Sequence, residues 1–287
     1  MGLCSSKQLL IEARERRQAL GAFNAVDAAS VSGIIRAAEK AGFPVIVQTS
    51  TSTVRQTGWD LLHAIVRETA KPAGVPVVLH LDHCTDTAFV FEAIRAGWTS
   101  VMFDGSHLPV EDNIAATRRV VEAARKQGIT VEAELGYIGG VEDERVSGAQ
   151  NQPLSVEEVV AFVEQTGVDS LALGIGNAHG IYTSPDPRLD LGLLERVSGR
   201  IAIPLVLHGA SGLPFETVRA CLQLGVSKVN YSTDIKIAYR EAVARWLAQG
   251  THDLLALQQA VARAVEERVA ERIQVVSSGY VEPPTPG

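Results

Sequence analysis

Short apolar segments alternate with amphipathic segments eight times along the 287 residues of this chain. The apolar segments have the length of buried strands, and the sequence predicts them at residues 20–24, 44–48, 76–81, 99–103, 129–134, 169–173, 203–207 and 226–230. Helices are predicted at residues 27–41, 58–71, 86–96, 110–127, 155–166, 189–198, 214–224 and 232–248. Eight strand-then-helix units in about 250 residues are typical of a (β/α)8 TIM barrel.

The alternative fold, an open doubly wound sheet, fits this pattern less well. Such a sheet more often has about five to seven strands, with a glycine-rich turn after the first one. Here the first strand runs into AFNAVDAAS at residues 22–30, which lacks that turn. We therefore expect a single barrel domain over residues 1–287, with a C-terminal helical extension at about 251–278 that forms one or two additional helices.

Charge and cysteine content exclude several classes of partner and compartment. The net charge of −7 argues against nucleic-acid binding, which needs clustered basic residues. The three cysteines are scattered and form no disulfide-like spacing, which favours a reducing compartment. No apolar segment approaches the ~20 residues that span a bilayer, and the first residues lack the apolar core of a signal peptide. The sequence therefore predicts a cytoplasmic protein that binds neither nucleic acid nor membrane.

Three histidines follow predicted strands three, six and seven: His83, His179 and His208. In a parallel barrel the C-terminal ends of all strands meet at one mouth, so we expect these side chains to lie close together. Three protein ligands with one position left open are the usual set of a catalytic zinc. The sequence thus predicts a metal site. His80 could orient a ligand or be a core residue, and we favour the core.

Several carboxylates are also expected near this mouth: Asp82, Asp104, Glu132, Glu134 and Glu142. Helix capping or pairing with a basic residue would explain most of them. Asp82 is the least well explained in that way, because it stands beside His83 at the predicted strand end. A carboxylate there can act as a general acid or base.

The loops after strands seven and eight combine glycine with hydroxyl residues. Gly209 and Ser211 stand in one loop, and Asn230 and Thr233 stand in the other. In a TIM barrel these loops commonly bind phosphate through backbone N–H groups and hydroxyls. The other interpretation is structural: glycine gives the turn its geometry, and serine or threonine caps the following helix.

Motifs along the whole barrel resemble those of the class II, metal-dependent ketose-bisphosphate aldolases of fructose- and tagatose-bisphosphate type. The matching segments, in the family's order, are AFN (22–24), LHLDH (79–83), SVMFDGSHLP (100–109), VEAELG (131–136), GGVED (139–143), AHGIY (178–182), LVLHGASGL (205–213) and KVNYSTD (228–234). The resemblance implies a reversible cleavage of a ketose 1,6-bisphosphate into dihydroxyacetone phosphate and an aldehyde such as glyceraldehyde 3-phosphate.

The resemblance also implies roles for individual residues. The catalytic Zn²⁺ would be bound by His83, His179 and His208. Glu134 would be an alternative ligand, with Asp104 close by. The resemblance also implies a reaction that requires no lysine Schiff base.

Two carboxylates would be catalytic by the same resemblance. Asp82 would exchange the proton of the substrate's C4 hydroxyl, and Glu142 would take a proton from dihydroxyacetone phosphate. The substrate and its phosphate would lie against Asn24, Ser50, Gly180, Gly209, Ser211, Asn230, Ser232 and Thr233. A sodium or potassium ion near the phosphate and a homodimer or homotetramer are further expectations.

The resemblance does not fix the chemical identity of the substrate at the end away from the 1-phosphate. Ser232 stands where fructose-type members often have aspartate, and Tyr231 is bulkier than the resemblance predicts. Arg55 is a candidate ligand for a second phosphate. Alternatives are an aldolase of the same family acting on another phosphorylated ketose and a non-catalytic sugar-phosphate-binding barrel. A zinc amidohydrolase would need an HxH pair after strand one, where this chain has AFNAVD.

Overall fold

A closed ring of eight parallel strands forms the centre of the computed structural model. The structure describes residues 2–136, 138–142, 145–146, 154–180, 182 and 187–278, and for residues 141, 142, 145 and 146 it describes the backbone alone. The barrel strands are β1 (Leu20–Asn24), β2 (Val45–Ser50), β3 (Val77–Cys84), β4 (Ser100–Phe103), β5 (Thr130–Leu135), β6 (Ser170–Leu173), β7 (Leu205–Leu207) and β8 (Val226–Tyr231). Each strand pairs with its neighbours in sequence, and β1 pairs with β8 to close the ring. The predicted TIM barrel is thereby confirmed.

Helices surround the barrel. They are α1 (Lys7–Glu15), α2 (Ala28–Ala41), α3 (Thr51–Thr57), α4 (Trp59–Ala70), α5 (Thr87–Ala96), α6 (Val110–Arg125), α7 (Val156–Thr166), α8 (Leu191–Ser198), α9 (Phe215–Gln223), α10 (Thr233–Leu247) and α11 (Leu254–Ser277). The sequence did not predict α1 as a full element or α3 at all. Among the described residues, no helix combines the length and apolarity needed to cross a lipid bilayer.

Helix boundaries follow local capping chemistry. The Asp27 side chain accepts a hydrogen bond from the Ser30 N–H at 2.8 Å, and Gly42, whose φ of 62° lies in the left-handed region, caps the end of α2. Ser155 and Glu158 form the same reciprocal capping box at the start of α7. Such boxes satisfy backbone N–H groups that have no partner within the helix. The boundaries of these helices were therefore predictable from sequence.

Strand β3 is longer than predicted, and its last residues are irregular. It runs to Cys84, three residues beyond the predicted end at 81, so that both Asp82 and His83 belong to it. Its register against β4 shifts between Leu81 and Cys84, and His83 has a φ of 45°. Consecutive side chains of a regular strand point to opposite faces. The irregular end of β3 allows Asp82 and His83 to depart from that alternation.

The long loops after β5 and β6 contain short strands that were not predicted. Gly139–Glu142 pairs in parallel with Ala178–His179 and antiparallel with Arg145–Val146. The segment that carries His179 is therefore fixed by backbone pairing and is not a free loop.

The C-terminal extension forms one helix, α11, which packs against α2 and α10. Its buried face includes Val261, Val265, Val269 and Ile273, spaced four residues apart along one side. The approach to α2 is close, because a Cβ atom added at Gly33 would lie 2.5 Å from the Ala262 carbonyl oxygen. The extension is thus an integral part of the packed structure.

Candidate active site

Three histidine rings meet at the barrel mouth. His83 lies near the end of β3, His179 lies in the short strand after β6, and His208 directly follows β7. Their ring centroids are 4.5 Å apart for His83 and His208, 4.7 Å for His83 and His179, and 5.8 Å for His179 and His208. One nitrogen from each ring lies within 4.8 Å of the other two. The structure therefore brings together the three predicted metal ligands.

Two carboxylates orient these rings. His83 Nδ1 lies 3.2 Å from Asp104 Oδ2, and His208 Nε2 lies 2.9 Å from Glu132 Oε1. Burial by itself would raise the pKa of Asp104, but the hydrogen bonds from His83 and Ser106 lower it well below its usual range. Asp104 is thus an ionised acceptor, so His83 carries its proton on Nδ1.

The tautomer of His208 is likewise fixed by its carboxylate partner. Although burial alone would raise the pKa of Glu132, the charge of Lys228 and the hydrogen bond from His208 lower it overall. Burial is the main cause that lowers the pKa of His208 to about 3, so its ring is neutral, and the contact with the Glu132 carboxylate places its proton on Nε2. Its free lone pair is then on Nδ1.

The remaining nitrogens, His83 Nε2 and His208 Nδ1, face each other at 2.7 Å. Lone pairs on these two nitrogens can share one proton or can point toward a common metal ion. Glu134 Oε2 lies nearby, 3.7 Å from His83 Nδ1 and 3.8 Å from His208 Nδ1, and it is buried without a hydrogen-bond partner among the described residues. Convergent imidazoles beside an unsatisfied buried carboxylate oxygen fit a divalent cation such as Zn²⁺.

Glu134 and Asp104 also form a second candidate ligand set with His83. Burial, followed by the charge of Asp104, raises the pKa of Glu134 well above its usual range. A divalent cation beside it would favour the ionised carboxylate instead. The structure therefore places Glu134 and Asp104 close to each other and to His83, as predicted.

Asp82 is surrounded by carboxamides. Its Oδ2 accepts hydrogen bonds from Asn24 Nδ2 at 3.0 Å and Gln48 Nε2 at 3.2 Å, and its Oδ1 accepts one from Asn230 Nδ2 at 3.3 Å. Gln48 Nε2 also lies 2.6 Å from Asn24 Oδ1. The irregular end of β3 allows Asp82 and His83 to serve one site although they are consecutive residues.

A buried ion pair lies one layer deeper than the histidines. Lys228 Nζ lies 2.8 and 3.1 Å from the two oxygens of Glu132, and Glu132 in turn binds His208. His80 belongs to this layer: its Nδ1 lies 2.7 Å from Ser100 Oγ and its Nε2 lies 4.0 Å from Glu132 Oε2. His80 is therefore a hydrogen-bonded residue of the barrel interior, as favoured from the sequence.

The sequence did not predict the pairing of Glu132 with Lys228. The sequence contains a signal for a buried ion pair. Glu132 and Glu134 are two residues apart on β5 and so share the inward face of the barrel, where a carboxylate needs a cation. A lysine within β8 is the matching cation. Only the register of the closed barrel reveals that they meet.

We expect Glu132→Gln to weaken metal binding about 10- to 100-fold, because the substitution removes the anionic acceptor that orients His208. It also leaves the Lys228 ammonium buried without its counter-ion, at a cost of about 3–5 kcal/mol in the free energy of unfolding. Metal titration and urea unfolding measure the two effects separately.

Lys228→Met combined with Glu132→Gln is the matched control, since it removes the uncompensated charge. We expect this double variant to recover most of the stability but not the metal affinity. A Glu132→Gln variant with wild-type metal affinity would contradict the orienting role of Glu132.

A small cavity adjoins the histidines, because His179 forms part of its wall. Its other lining residues are Gly180, Gly209, Ser211, Asn230, Ser232, Thr233 and Lys236. Six of these seven are residues for which the sequence predicted phosphate binding. Lys236 was missed, although it stands only one helical turn after Thr233 on α10.

The cavity wall is tightly packed where the loop after β7 meets the segment that carries His179. Gly209 has a φ of 66°, and an added Cβ would lie 2.1 Å from the Ala178 carbonyl oxygen. The Ser232 hydroxyl is buried and has no hydrogen-bond partner among the described residues. The Thr233 hydroxyl at the start of α10 and the positive charge of Lys236 also belong to the wall. This combination suits an anion such as phosphate.

Tyr182 joins the two segments that carry His179 and His208. Its hydroxyl accepts a hydrogen bond from the Ala178 N–H at 3.0 Å and donates one to the Gly209 carbonyl at 2.9 Å. The histidine cluster and the cavity are thereby fixed relative to each other.

Other predicted residues lie elsewhere. Asn24 belongs to the Asp82 cluster, and Ser50 Oγ caps α3 by accepting the Thr53 N–H at 3.2 Å. Arg55 lies on α3 with its guanidinium carbon 5.2 Å from the centre of the Phe89 ring. The side chain of Glu142 is outside the described residues.

The family model for class II fructose-bisphosphate aldolase matches residues 4–279. A sulfofructosephosphate aldolase of Alkalicoccus urumqiensis is 37% identical over 281 residues, which are 97% of this chain and 98% of that protein.

Two solved structures share the fold. The YdjI aldolase of Escherichia coli K12 has a TM-score of 0.83 and 32% identity, covering 96% of this chain and 98% of that one. A fructose-bisphosphate aldolase of Campylobacter jejuni has a TM-score of 0.81 at 22% identity, covering 96% of each chain. The match to the family model over nearly the whole chain decides the assignment: this chain belongs to the class II fructose-bisphosphate aldolase family.

Proposed function

We propose that the protein is a metal-dependent aldolase that cleaves a ketose 1-phosphate into dihydroxyacetone phosphate and an aldehyde. One observation carries the proposal: His179 belongs both to the histidine cluster and to the wall of the anion cavity. A ligand whose phosphate occupies the cavity would have its next carbons beside the histidines. A Zn²⁺ ion held by His83, His179 and His208 would act as a Lewis acid on the ketone and stabilise the negative charge that develops there.

The cavity residues would bind the phosphate. Ser211, Ser232 and Thr233 offer hydroxyls, and Lys236 offers charge. Fixing the phosphate orients the C3–C4 bond over the cluster, which lowers the entropic part of the barrier.

Asp82 would take the proton from the C4 hydroxyl as the C3–C4 bond breaks. Both of its oxygens accept hydrogen bonds from side chains, as those of a carboxylate do. Gln48 Oε1 and Asn230 Oδ1 are buried acceptors without a hydrogen-bond partner among the described residues, and they can receive substrate hydroxyls.

Glu142 would then exchange a proton with the dihydroxyacetone phosphate carbon, a role that rests on the family resemblance. A monovalent cation near the phosphate and a homodimer or homotetramer likewise stay predictions. A non-catalytic sugar-phosphate-binding barrel would have no need for the Asp82 cluster, and the presence of that cluster favours the enzyme.

The substrate's far end is proposed to carry a second anionic group. The first candidate is a 1,6-bisphosphate of fructose or tagatose type. The similarity to a sulfofructosephosphate aldolase favours a second candidate, a ketose phosphate with a sulfonate at C6. Either group could be bound by Arg55, which is exposed on the helix that starts beside the Asp82 cluster.

A panel of ketose 1-phosphates with phosphate, sulfonate or hydroxyl at C6, in both C4 configurations, tests this proposal. We expect the zinc-loaded protein to release dihydroxyacetone phosphate, and we expect an anionic C6 group to raise kcat/KM at least about tenfold over hydroxyl. Higher kcat/KM for the sulfonate than for the phosphate would select the second candidate. The matching ketose without the 1-phosphate is the control.

Absence of dihydroxyacetone phosphate from every reaction would reject the aldolase proposal. Equal rates with and without the 1-phosphate would reject the cavity as the phosphate site. Equal kcat/KM for all three C6 groups would reject a second anion subsite.

A further inference from the structure

The C-terminal helix α11 reaches the back of the anion cavity through two arginines. Arg272 Nε lies 2.7 Å from Asp234 Oδ2, and Arg268 Nη1 lies 3.4 Å from Asp234 Oδ1. The Asp234 and Arg272 side chains are only 7% and 12% exposed, so water screens this pair less than it screens a surface ion pair.

Asp234 is held from both sides. Its carboxylate faces α11, whereas its backbone N–H donates a hydrogen bond to Ser211 Oγ at 3.1 Å. Ser211 lies in the loop after β7, and Asp234 is in the first turn of α10. One residue therefore connects the two segments that supply most of the cavity wall.

Arg272 also contacts the flanks of both segments. Its guanidinium carbon lies 4.9 Å from the centre of the Phe215 ring and 5.7 Å from the centre of the Tyr231 ring. Phe215 begins α9, directly after the loop that contains Ser211, and Tyr231 ends β8, directly before Ser232. A planar guanidinium can stack on aromatic rings while it binds a carboxylate, which a lysine cannot do in the same way.

We propose that Arg272 is a positioning residue for the substrate phosphate, holding the loop after β7 and the start of α10 at a fixed separation through Asp234, Phe215 and Tyr231. This inference rests on the proposed use of the cavity by a phosphate. Binding is tighter when donors are already in place, because less conformational freedom is lost with the ligand. Arg272 itself does not line the cavity.

The test is calorimetric titration of inorganic phosphate into the zinc-loaded protein. We expect Arg272→Gln to raise the Kd of phosphate about tenfold while the zinc content stays that of the wild type. Arg263→Gln is the matched control, because Arg263 is an exposed arginine on the same helix, and it should leave the Kd unchanged. Thermal unfolding of both variants shows the fraction that is folded during the titration.

Asp234→Asn provides a second variant if Arg272→Gln does not fold. It keeps the backbone N–H and the side-chain size but removes the charge that binds the arginines, so positioning predicts a higher Kd. A lower Kd would overturn the proposal, because simple loss of a negative charge near the cavity would then dominate.

Different results would contradict the positioning role of Arg272 and the phosphate site itself. A folded Arg272→Gln protein with the wild-type Kd would overturn the positioning role and leave the phosphate site intact. A wild-type protein that binds no phosphate would reject the phosphate site itself, and the role of Arg272 with it.

Discussion

Removal of the divalent metal ion is expected to abolish ketose cleavage, and addition of Zn²⁺ is expected to restore it. The barrier rises because the charge that a cation offers to the developing oxyanion is lost; Lys228, the buried ammonium below the histidines, is already bound to Glu132 and does not replace it. A loss of at least about a thousandfold corresponds to several kcal/mol of transition-state stabilisation. The measurement is the initial rate of dihydroxyacetone phosphate release after dialysis against a chelator, with metal content determined on the same sample.

Two histidine variants provide the matched comparison. His208→Ala removes a ring of the cluster and should lose bound zinc together with activity. His107→Ala removes an exposed ring in the loop after β4, outside both candidate ligand sets, and should retain both. Cleavage that persists after complete metal removal would refute a metal-dependent mechanism.

Replacement of Asp82 by alanine is expected to lower kcat by about 10³-fold while zinc stays bound. General base catalysis by a positioned carboxylate contributes about 10²- to 10⁴-fold, and the three side chains that donate hydrogen bonds to Asp82 are neutral carboxamides, which cannot replace it as a base. Steady-state kinetics and metal analysis of the purified variant measure both quantities. If zinc is lost from Asp82→Ala, the residue is a ligand rather than the base.

Glu142→Ala separates the two proton transfers. It should abolish exchange of the dihydroxyacetone phosphate proton with solvent, which Asp82→Ala should leave largely intact, because that exchange does not involve the C4 hydroxyl. Exchange unchanged by Glu142→Ala would reject the role given to that residue.

Much of the fold could be predicted because the apolar pattern repeats with each strand and helix. The eight barrel strands lie close to their predicted ranges, and capping pairs such as Asp27 with Ser30 mark helix starts in the sequence itself. The three histidines could be placed for the same reason, since strand ends of a parallel barrel share one mouth. Local pattern and topology were sufficient for these features.

Features that depend on register and closure could not be predicted in this way. The pairing of Glu132 with Lys228 joins strands β5 and β8, which are not neighbours in the ring, across the interior. The extension of β3 to Cys84 depends on a register shift that leaves no clear trace in the residues. Lys236 was missed because a lysine on an amphipathic helix usually faces solvent, and only the packed structure places it at the cavity.

The orientation of His83 by Asp104 and of His208 by Glu132 uses contacts within the protein alone. If these histidines bind the metal as proposed, they are arranged by folding rather than by the ion, in contrast to small zinc domains that fold only around their metal. Exchange of one divalent cation for another would not require unfolding of the barrel. The identity of the metal in the cell would then follow the supply of ions and their intrinsic order of affinity for nitrogen and oxygen ligands, not the history of folding.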